Sequence, residues 1–483
     1  MTTSSSPARS AASAVWPVLL LAFGFGVSSI RAQASSGPED RTAPPGPSAV
    51  EYSAVIDRPV QESFRRLYPE RVSVLQPAFA RLSATQWDDL VIYSAGKIEV
   101  IDARTGQTSW PGGFACRSQP VLLGRIGDLY VFATAHRLFA VAAGAGWQAW
   151  SFGADPPEDP NTDPEATPSW IKHCVTEGRI FSVSDRGQVV CLGSQDGSLR
   201  WREDSAGGPA VQLAATDRRL FIAVWAGNTP TLSSYDAETG RLAKTVRLPG
   251  GHPAETLIMA PGGVLLVVFG DTILALDDAS LLERYRIPAP DRIMLATLQV
   301  VPDGLFVGDQ SRRVTKYDLA EGQVLWRTPP IGSGGDGPPW VQVWDDRLLV
   351  ASENVLCAFD AHSGHPLWRR NERLLLDAQP PWLSRDAVIV ITPEPHSTPA
   401  ASQAAAQPTS GPVREAVSYQ VRLYSRSGKL LPVIPGGTTL AIGPLESFGG
   451  LYVRDDCLAV LDGRRLVGYV ARPAASQPGT ESR

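Results

Sequence analysis

Lysine is nearly missing from this chain of 483 residues: among 44 basic side chains only those at 97, 172, 244, 316 and 429 are lysines, and the rest are arginines. Basic residues do not exceed the 49 acidic ones, and the formal charge is −5. Polyanion binding is therefore not expected, and no nucleic-acid partner is predicted. Cysteine is scarce as well, five in all, at 116, 174, 191, 357 and 457. No Cys-x-x-Cys-His occurs, which excludes covalent haem, and no two cysteines adjoin. A Gly-Lys-Ser/Thr phosphate loop, a Gly-x-Ser-x-Gly elbow and a His-Glu-x-x-His helix are all absent.

Charge is missing altogether from the 21 residues between Arg9 and Arg31, and Ala32-Gln-Ala34 follows as a small-residue cleavage pattern. The stretch reads as a signal peptide over 1–34, cleaved after Ala34. The competing reading is an uncleaved anchor, since ~20 residues can span a bilayer; Pro17, Gly24 and Gly26 dilute the apolar run and favour cleavage. Cleavage removes two arginines and no acid, so the mature chain carries about −7. It is expected outside the cytoplasm, periplasmic or secreted, and at a membrane only if the segment is retained. No cysteine near Ala34 supports lipid attachment.

Residues 35–50 have the Pro/Ser/Gly makeup of a flexible leader. Within 35–78, Asp57, Pro59 and the apolar Val60, Phe64 and Leu67 at i, i+4 and i+7 predict a short amphipathic helix. Residues 393–416 form an Ala/Ser/Pro/Gln tract, and 471–483 form a Pro/Ser tail expected to be disordered. Pro329–Pro339 reads as a Gly/Pro loop.

What the chain has in abundance is one hairpin, best kept in Ala358-Phe-Asp-Ala-His-Ser-Gly-His-Pro-Leu-Trp368. An apolar run enters a turn where Asp360 can accept backbone N–H groups, Gly364 supplies a positive φ, and Trp368 closes the return strand. The frame of Asp, Gly at +4 and Trp at +8 recurs at Asp102, Gly106 and Trp110 and at Asp318, Gly322 and Trp326. Partial copies hold Gly146 and Trp150, Gly197 and Trp201, Asp236 and Gly240, and Asp277 alone; degenerate ones lie at Leu423–Gly428 and Val460–Gly463. From the Asp-equivalent position the copies are 40, 51, 43, 41, 41 and 42 residues apart, which marks a repeat architecture. Each unit reads as four short strands, and nine candidate units start near 79, 119, 170, 210, 254, 296, 340, 380 and 440.

Val100-Ile-Asp-Ala-Arg-Thr-Gly-Gln-Thr-Ser-Trp110 resembles the repeat of the quinoprotein (PQQ-repeat) β-propellers, whose pattern runs Ala-x-Asp-x-x-Thr-Gly-Lys-x-x-Trp. The resemblance covers 79–470 and implies an all-β propeller of four-stranded blades, eight being the usual number. Within that superfamily the chain is most similar to outer-membrane assembly propellers, although it lacks a lipidated cysteine. That likeness implies a non-enzymatic, monomeric scaffold meeting protein partners through its rim loops, with no cofactor. Two other readings stay open: a dehydrogenase dependent on the quinone and Ca²⁺, and a sensor or carbohydrate-binding ectodomain.

Residue by residue, bland readings compete with chemical ones. His362 and His365 have a metal-like spacing without a third ligand nearby, and five carboxylates in 155–165 lack the glycine pivot of a Ca²⁺ loop. His173 beside Cys174 is weaker still. Cys191 and Cys357 read as buried thiols in strands, while Cys116 and Cys174 lie nearer loops, where pairing is open. Trp110, Trp150, Trp201, Trp326 and Trp368 hold one repeated position that suits docking between blades; Trp340, Trp344 and Trp382 lie outside it and are candidates for a rim or channel surface.

Overall fold

The structure is a computed structural model that describes residues 60–75, 89–153, 168–204, 210–226, 229–249, 253–288, 297–332, 339–374, 376, 381–383, 387–393, 418–433, 440–444, 448–454, 457–462 and 464–471. Residues 1–59, with the leader and the cleavage site after Ala34, lie outside the described residues, as do 154–167, 394–417 and the tail from 472.

Nine antiparallel sheets follow one another, and the first strands of successive sheets lie side by side around a common axis. The molecule is a nine-bladed β-propeller. Blade 1 holds Ser73–Val74, Asp89–Ser94, Lys97–Asp102 and Phe114–Ala115. Blades 2 to 8 begin with Val121–Ile126, Trp170–Val175, Ala210–Ala215, Thr256–Ala260, Leu298–Val301, Trp340–Trp344 and Trp382–Leu383. Their outermost strands in blades 2 to 7 are Gln148–Gly153, Leu199–Glu203, Leu242–Arg247, Glu283–Pro288, Val324–Arg327 and Pro366–Asn371. In blade 8 two short pieces, Leu430–Leu431 and Leu440–Pro444, share the edge along Ser418–Ser425.

Two expectations are corrected here. Eight blades are replaced by nine, because blade 9 is composite: Phe448–Arg454, Cys457–Asp462 and Arg465–Ala471 supply three strands, and Val60–Leu67 supplies the outermost. That same segment is the second correction, since Val60–Leu67 is a strand and not an amphipathic helix. Its backbone groups are satisfied by Arg465–Ala471, from Val60 against Ala471 to Leu67 against Arg465, which a helix would have left as a bare sheet edge. The ring therefore takes in Val60–Leu67 and Ser73–Val74, both before residue 79. Asp462 ends the second strand of blade 9 and pairs with Arg465 at the start of the third, so Val460–Gly463 is not a copy of the repeated turn.

The core is a series of layers, each shared by two neighbouring blades. One layer packs Val264, Leu266 and Ile273 of blade 5 on Leu305 and Val307 of blade 6, and another joins Phe132 and Phe139 of blade 2 to Ile98 and Val100 of blade 1. Middle strands are covered on both faces, so Val264–Val268 and Val189–Gly193 are buried throughout. Outermost strands are half covered, and from Ala243 to Arg247 every other residue is exposed, as strand alternation requires when one face meets a neighbour.

Candidate interaction face

The repeated hairpin joins the third strand of a blade to its outermost strand. In blade 7 the Asp360 carboxylate accepts from the Ser363 backbone N–H at 2.7 Å and the Ser363 hydroxyl at 2.6 Å, while Gly364 N–H donates to the Asp360 carbonyl at 2.9 Å. Asp102 and Asp236 repeat this with Thr105 and Thr239, and Asp277 with Ser280. Asp318 holds the backbone N–H groups of Ala320, Glu321 and Gln323. These carboxylates are consumed by their own turns.

Each turn glycine lies under a ring from the preceding blade. A Cβ on Gly146 would stand 2.7 Å from Trp110 Cγ, and on Gly240, Gly364 and Gly428 it would stand 2.6 Å from the indoles of Trp201, Trp326 and Trp368. Gly197 receives Trp150 in the same way, Gly322 receives Tyr285, and Gly106 receives Phe64. The φ angles are positive, +70° at Gly146 and +73° at Gly364, so the site demands glycine twice, for backbone conformation and for room. Trp110, Trp201 and Trp368 also donate Nε1–H to Ala143, Ala237 and Arg426 carbonyls of the next blade, and Tyr285 donates its hydroxyl to Leu319.

Packing outweighs that hydrogen bond. Burying an indole removes ~150–250 Å² from water, on the order of 4–6 kcal/mol at 25 cal/mol per Å², against about 1 kcal/mol for a net hydrogen bond. Trp150 and Trp326 keep the position although Nε1 is buried without a partner among the described residues. For Trp326 the cause is visible: the nearly fully buried Lys316 ammonium occupies the Ala361 carbonyl at 3.1 Å, anchored by Asp303 at 2.7 Å.

Sequence reading missed three docking residues. Tyr285 and Lys244 stand at +8 from Asp277 and Asp236, so the frame itself was the signal, hidden by the search for tryptophan. Lys244 reaches the Ser280 carbonyl, and the turn it faces has Leu281 at φ 53° where the others have glycine. With no ring overhead, a side chain fits. Phe64, the third, comes from the far end of the chain and was read as part of the apolar face of a helix, whereas it docks from a strand.

Asp236 and Asp360 are held below the usual carboxylate range, first by the Thr239 and Ser363 hydroxyls, then by backbone N–H groups; Asp277 is held lower still, with Arg284 as the largest cause. Because the folded values lie below the unfolded ones, their contribution is complete above about pH 4 and is lost as pH falls through the folded values. Thermal midpoints should therefore hold from neutrality to about pH 4 and fall below it. Asp360→Ala should lower the midpoint at pH 7 and flatten that fall; an unchanged acid slope would show that other groups set it.

The remaining candidates resolve as packing or exposed turn. Trp344 is completely buried against Leu349 and Leu356, so it is not a rim or channel surface. Trp340 is half-buried in the same layer, and the Trp382 side chain lies outside the described residues. His362 and His365 are exposed, with His362 Nδ1 3.3 Å from Asp303. Among the described residues no group of three His, Cys, Asp or Glu side chains is placed to hold a metal. His173 is driven down to about 4 by burial and meets Ser182 Oγ at 2.9 Å, so it is neutral at pH 7. A quinone and Ca²⁺ centre needs several oxygen ligands converging at one place, carboxylates among them; the nine innermost strands carry no Asp or Glu and so supply no carboxylate to it.

Cys116 and Cys174 lie in different layers, between blades 1 and 2 and between blades 3 and 4, and Cys174 is a free buried thiol, so the pairing left open is not made. Burial pushes the Cys174, Cys191 and Cys357 thiols up to about 12. Alkylation of these three at pH 8 in native protein should be at least about 1,000-fold slower than in denaturant, read by peptide mass; modification at the denatured rate would place them at the surface.

The repeated turns mark one end of the ring. The turn between the first two strands of a blade adjoins the repeated turn of the same blade, through Ala143 N to Asp128 O, Ala237 N to Arg218 O and Ala361 N to Asp346 O. A shallow depression of ≈ 660 Å³ lies there, lined by Asp89, Ser109, Arg125, Asp128 and 142–145. The sequence profile of a family described as outer membrane protein assembly factor BamB matches residues 94–294 and 289–417. The chain belongs to this BamB family. Among solved structures it is similar to BamB from Moraxella catarrhalis (13% identity, 85% of this chain and 99% of that one, TM-score 0.40). It is also similar to the computationally designed Ika8 protein (12%, 71% and 93%, 0.45) and the C-terminal WD40 domain of Sif2 (9%, 86% and 99%, 0.46). No curated protein matches the sequence. Among the described residues of this BamB-family chain no helix is long and apolar enough to cross a membrane.

Proposed function

We propose that the protein is a non-enzymatic scaffold exported from the cytoplasm, meeting protein partners through the rim loops of its propeller as a monomer and without a cofactor. One observation carries this reading: the repeated aspartates and aromatics are spent on turns and blade docking, which leaves the outward loops as the part free to recognise anything. Membership of a family described by outer-membrane assembly supports an envelope location and a partner there. Export with cleavage after Ala34 gives a mature N-terminus at Ser35, which intact-mass measurement distinguishes from a retained anchor.

Two measurements test the scaffold. Photo-crosslinking from the exposed positions Glu177 and His365 in intact envelopes should give discrete adducts with a defined protein. Incubation with pyrroloquinoline quinone and Ca²⁺ should leave the thermal midpoint unmoved, because a ligand that binds the native state must raise it. A rise of several degrees accompanied by dye-linked alcohol oxidation would replace the scaffold with a dehydrogenase.

A further inference from the structure

Of the repeated turns in blades 1 to 7, only the one in blade 2 closes without a carboxylate. Where Asp102, Asp236, Asp277, Asp318 and Asp360 stand, the carboxylate Oδ1 accepts the backbone N–H two residues on at 2.9–3.2 Å and the next one at 2.7–2.8 Å. Blade 3 has Gly193 in that place, and Asp196 Oδ1 occupies the space that a Cβ on Gly193 would take, so a carboxylate again lies over the turn. Blade 2 reads Ala142-Ala-Gly-Ala-Gly146, in which no side chain can accept a hydrogen bond.

The blade 2 backbone keeps the shape of its sisters all the same. Gly146 N–H donates to the Ala142 carbonyl at 2.9 Å, as Gly106 and Gly364 donate to Asp102 and Asp360, and Gly146 has φ +70° where Gly106 has +70° and Gly364 +73°. The N–H groups of Gly144 and Ala145 therefore correspond to the pair that a carboxylate holds in the Asp turns. Among the described residues Gly144 N–H meets no acceptor, and Ala145 N–H reaches only the Ala142 carbonyl, at 3.4 Å.

Both residues line the depression of ≈ 660 Å³ at this end of the ring, together with Asp89, Arg125 and Asp128. The acids there are already engaged: Asp89 accepts the Tyr130 hydroxyl at 2.8 Å, and Asp128 pairs with Arg125 at 3.9 Å. What this place leaves unfilled is donor capacity. Neighbouring turn N–H groups make a concavity suited to an anion, and they bond an ionised oxygen more strongly than a neutral one.

We infer that the blade 2 turn binds a carboxylate from outside the chain, which takes the place of the missing aspartate side chain on the Gly144 and Ala145 N–H groups. The site stands apart from the scaffold reading, because the carboxylate can belong to a free acid or to a polypeptide. Both donors lie on exposed residues and compete with water, so affinity is on the order of millimolar.

The test follows the two amides by nuclear magnetic resonance in the full chain, deuterated and labelled with nitrogen-15. Probes, at constant ionic strength, are acetate, acetyl-Ala-Ala-Ala with a free terminal carboxylate, acetyl-Ala-Asp-Ala-amide and its neutral counterpart acetyl-Ala-Asn-Ala-amide. The three carboxylates should move both amide protons downfield and saturate, with the Asn peptide about tenfold weaker or more. Tighter binding of either peptide acid than of acetate identifies a polypeptide source, and equal binding a free acid. Ala142→Asp gives the turn its own carboxylate: both amides should start downfield and lose about tenfold or more in response, while a thermal midpoint no lower than that of the wild type verifies the fold. Amides of the wild-type chain that stay still up to about 100 mM carboxylate, an equal response to the Asn peptide, or a full response in the folded Ala142→Asp chain each overturn the inference. Envelope adducts of the scaffold are read separately, so either reading can fail while the other stands.

Discussion

Deletion of Val60–Leu67 will lower the thermal midpoint by about 5 °C or more, and a synthetic peptide of the same sequence added in excess will restore part of the loss. The strand is the outermost of blade 9 and the only one taken from the N-terminal end, so removing it uncovers the whole edge of Arg465–Ala471. It also removes Phe64, which packs with Tyr452, Leu461 and Leu466 of blade 9 and Ile101 of blade 1 and lies over the Gly106 turn. A phenylalanine-to-alanine change at such a layer costs about 3–5 kcal/mol, and Phe64→Ala alone should show most of that by urea titration. At about 2.1 cal/mol/K per residue, a chain of 483 residues moves its midpoint by about 1 °C per kcal/mol, so Phe64 accounts for about 3–5 °C and the uncovered edge adds to it. An unchanged midpoint in the deleted chain would mean that eight blades and three strands close without the ninth edge.

That strand also shows where sequence reading stops. Val60, Phe64 and Leu67 are spaced like one face of a helix, yet Leu67 is 76% exposed in the strand and needs no partner. The extra residue between Glu62 and Phe64 is a bulge that breaks the period of two by which a strand announces itself. Its partner lies some four hundred residues away, beyond any local pattern. The seven innermost starts from 119 to 380 fall near the observed strands, because each unit repeats its own turn chemistry and turn chemistry is local, whereas the one near 440 falls on Leu440–Pro444, an edge piece of blade 8. Nine units were countable, and the family's usual number of eight displaced the count. The docking tryptophans were legible as a class; that glycine is needed to admit them was not, since contact between one blade's strand and the next blade's turn is tertiary.

Substitution at a turn glycine under a ring will cost far more than at a glycine with the same φ and open space. Gly112 has φ +82° with nothing within 4 Å of an added Cβ, so Gly112→Ala pays only the left-handed backbone, about 1–2 kcal/mol. Gly146→Ala adds an overlap with Trp110 that the packed layer cannot relieve, a further ~1–3 kcal/mol. The protein already contains the compensated pair, Lys244 opposite Leu281. Transplanting it one seam back, as Trp201→Lys with Gly240→Leu, should destabilise less than the two single changes summed, with a coupling of about 1–3 kcal/mol in a double-mutant cycle by chemical denaturation. The sign follows from geometry: once the indole is gone, the leucine has the space that Leu281 uses, and the introduced ammonium can take a turn carbonyl as Lys244 takes that of Ser280. Additivity within about 0.5 kcal/mol would instead show that Leu281 is tolerated for reasons inside its own turn, and that ring and glycine are not a matched pair.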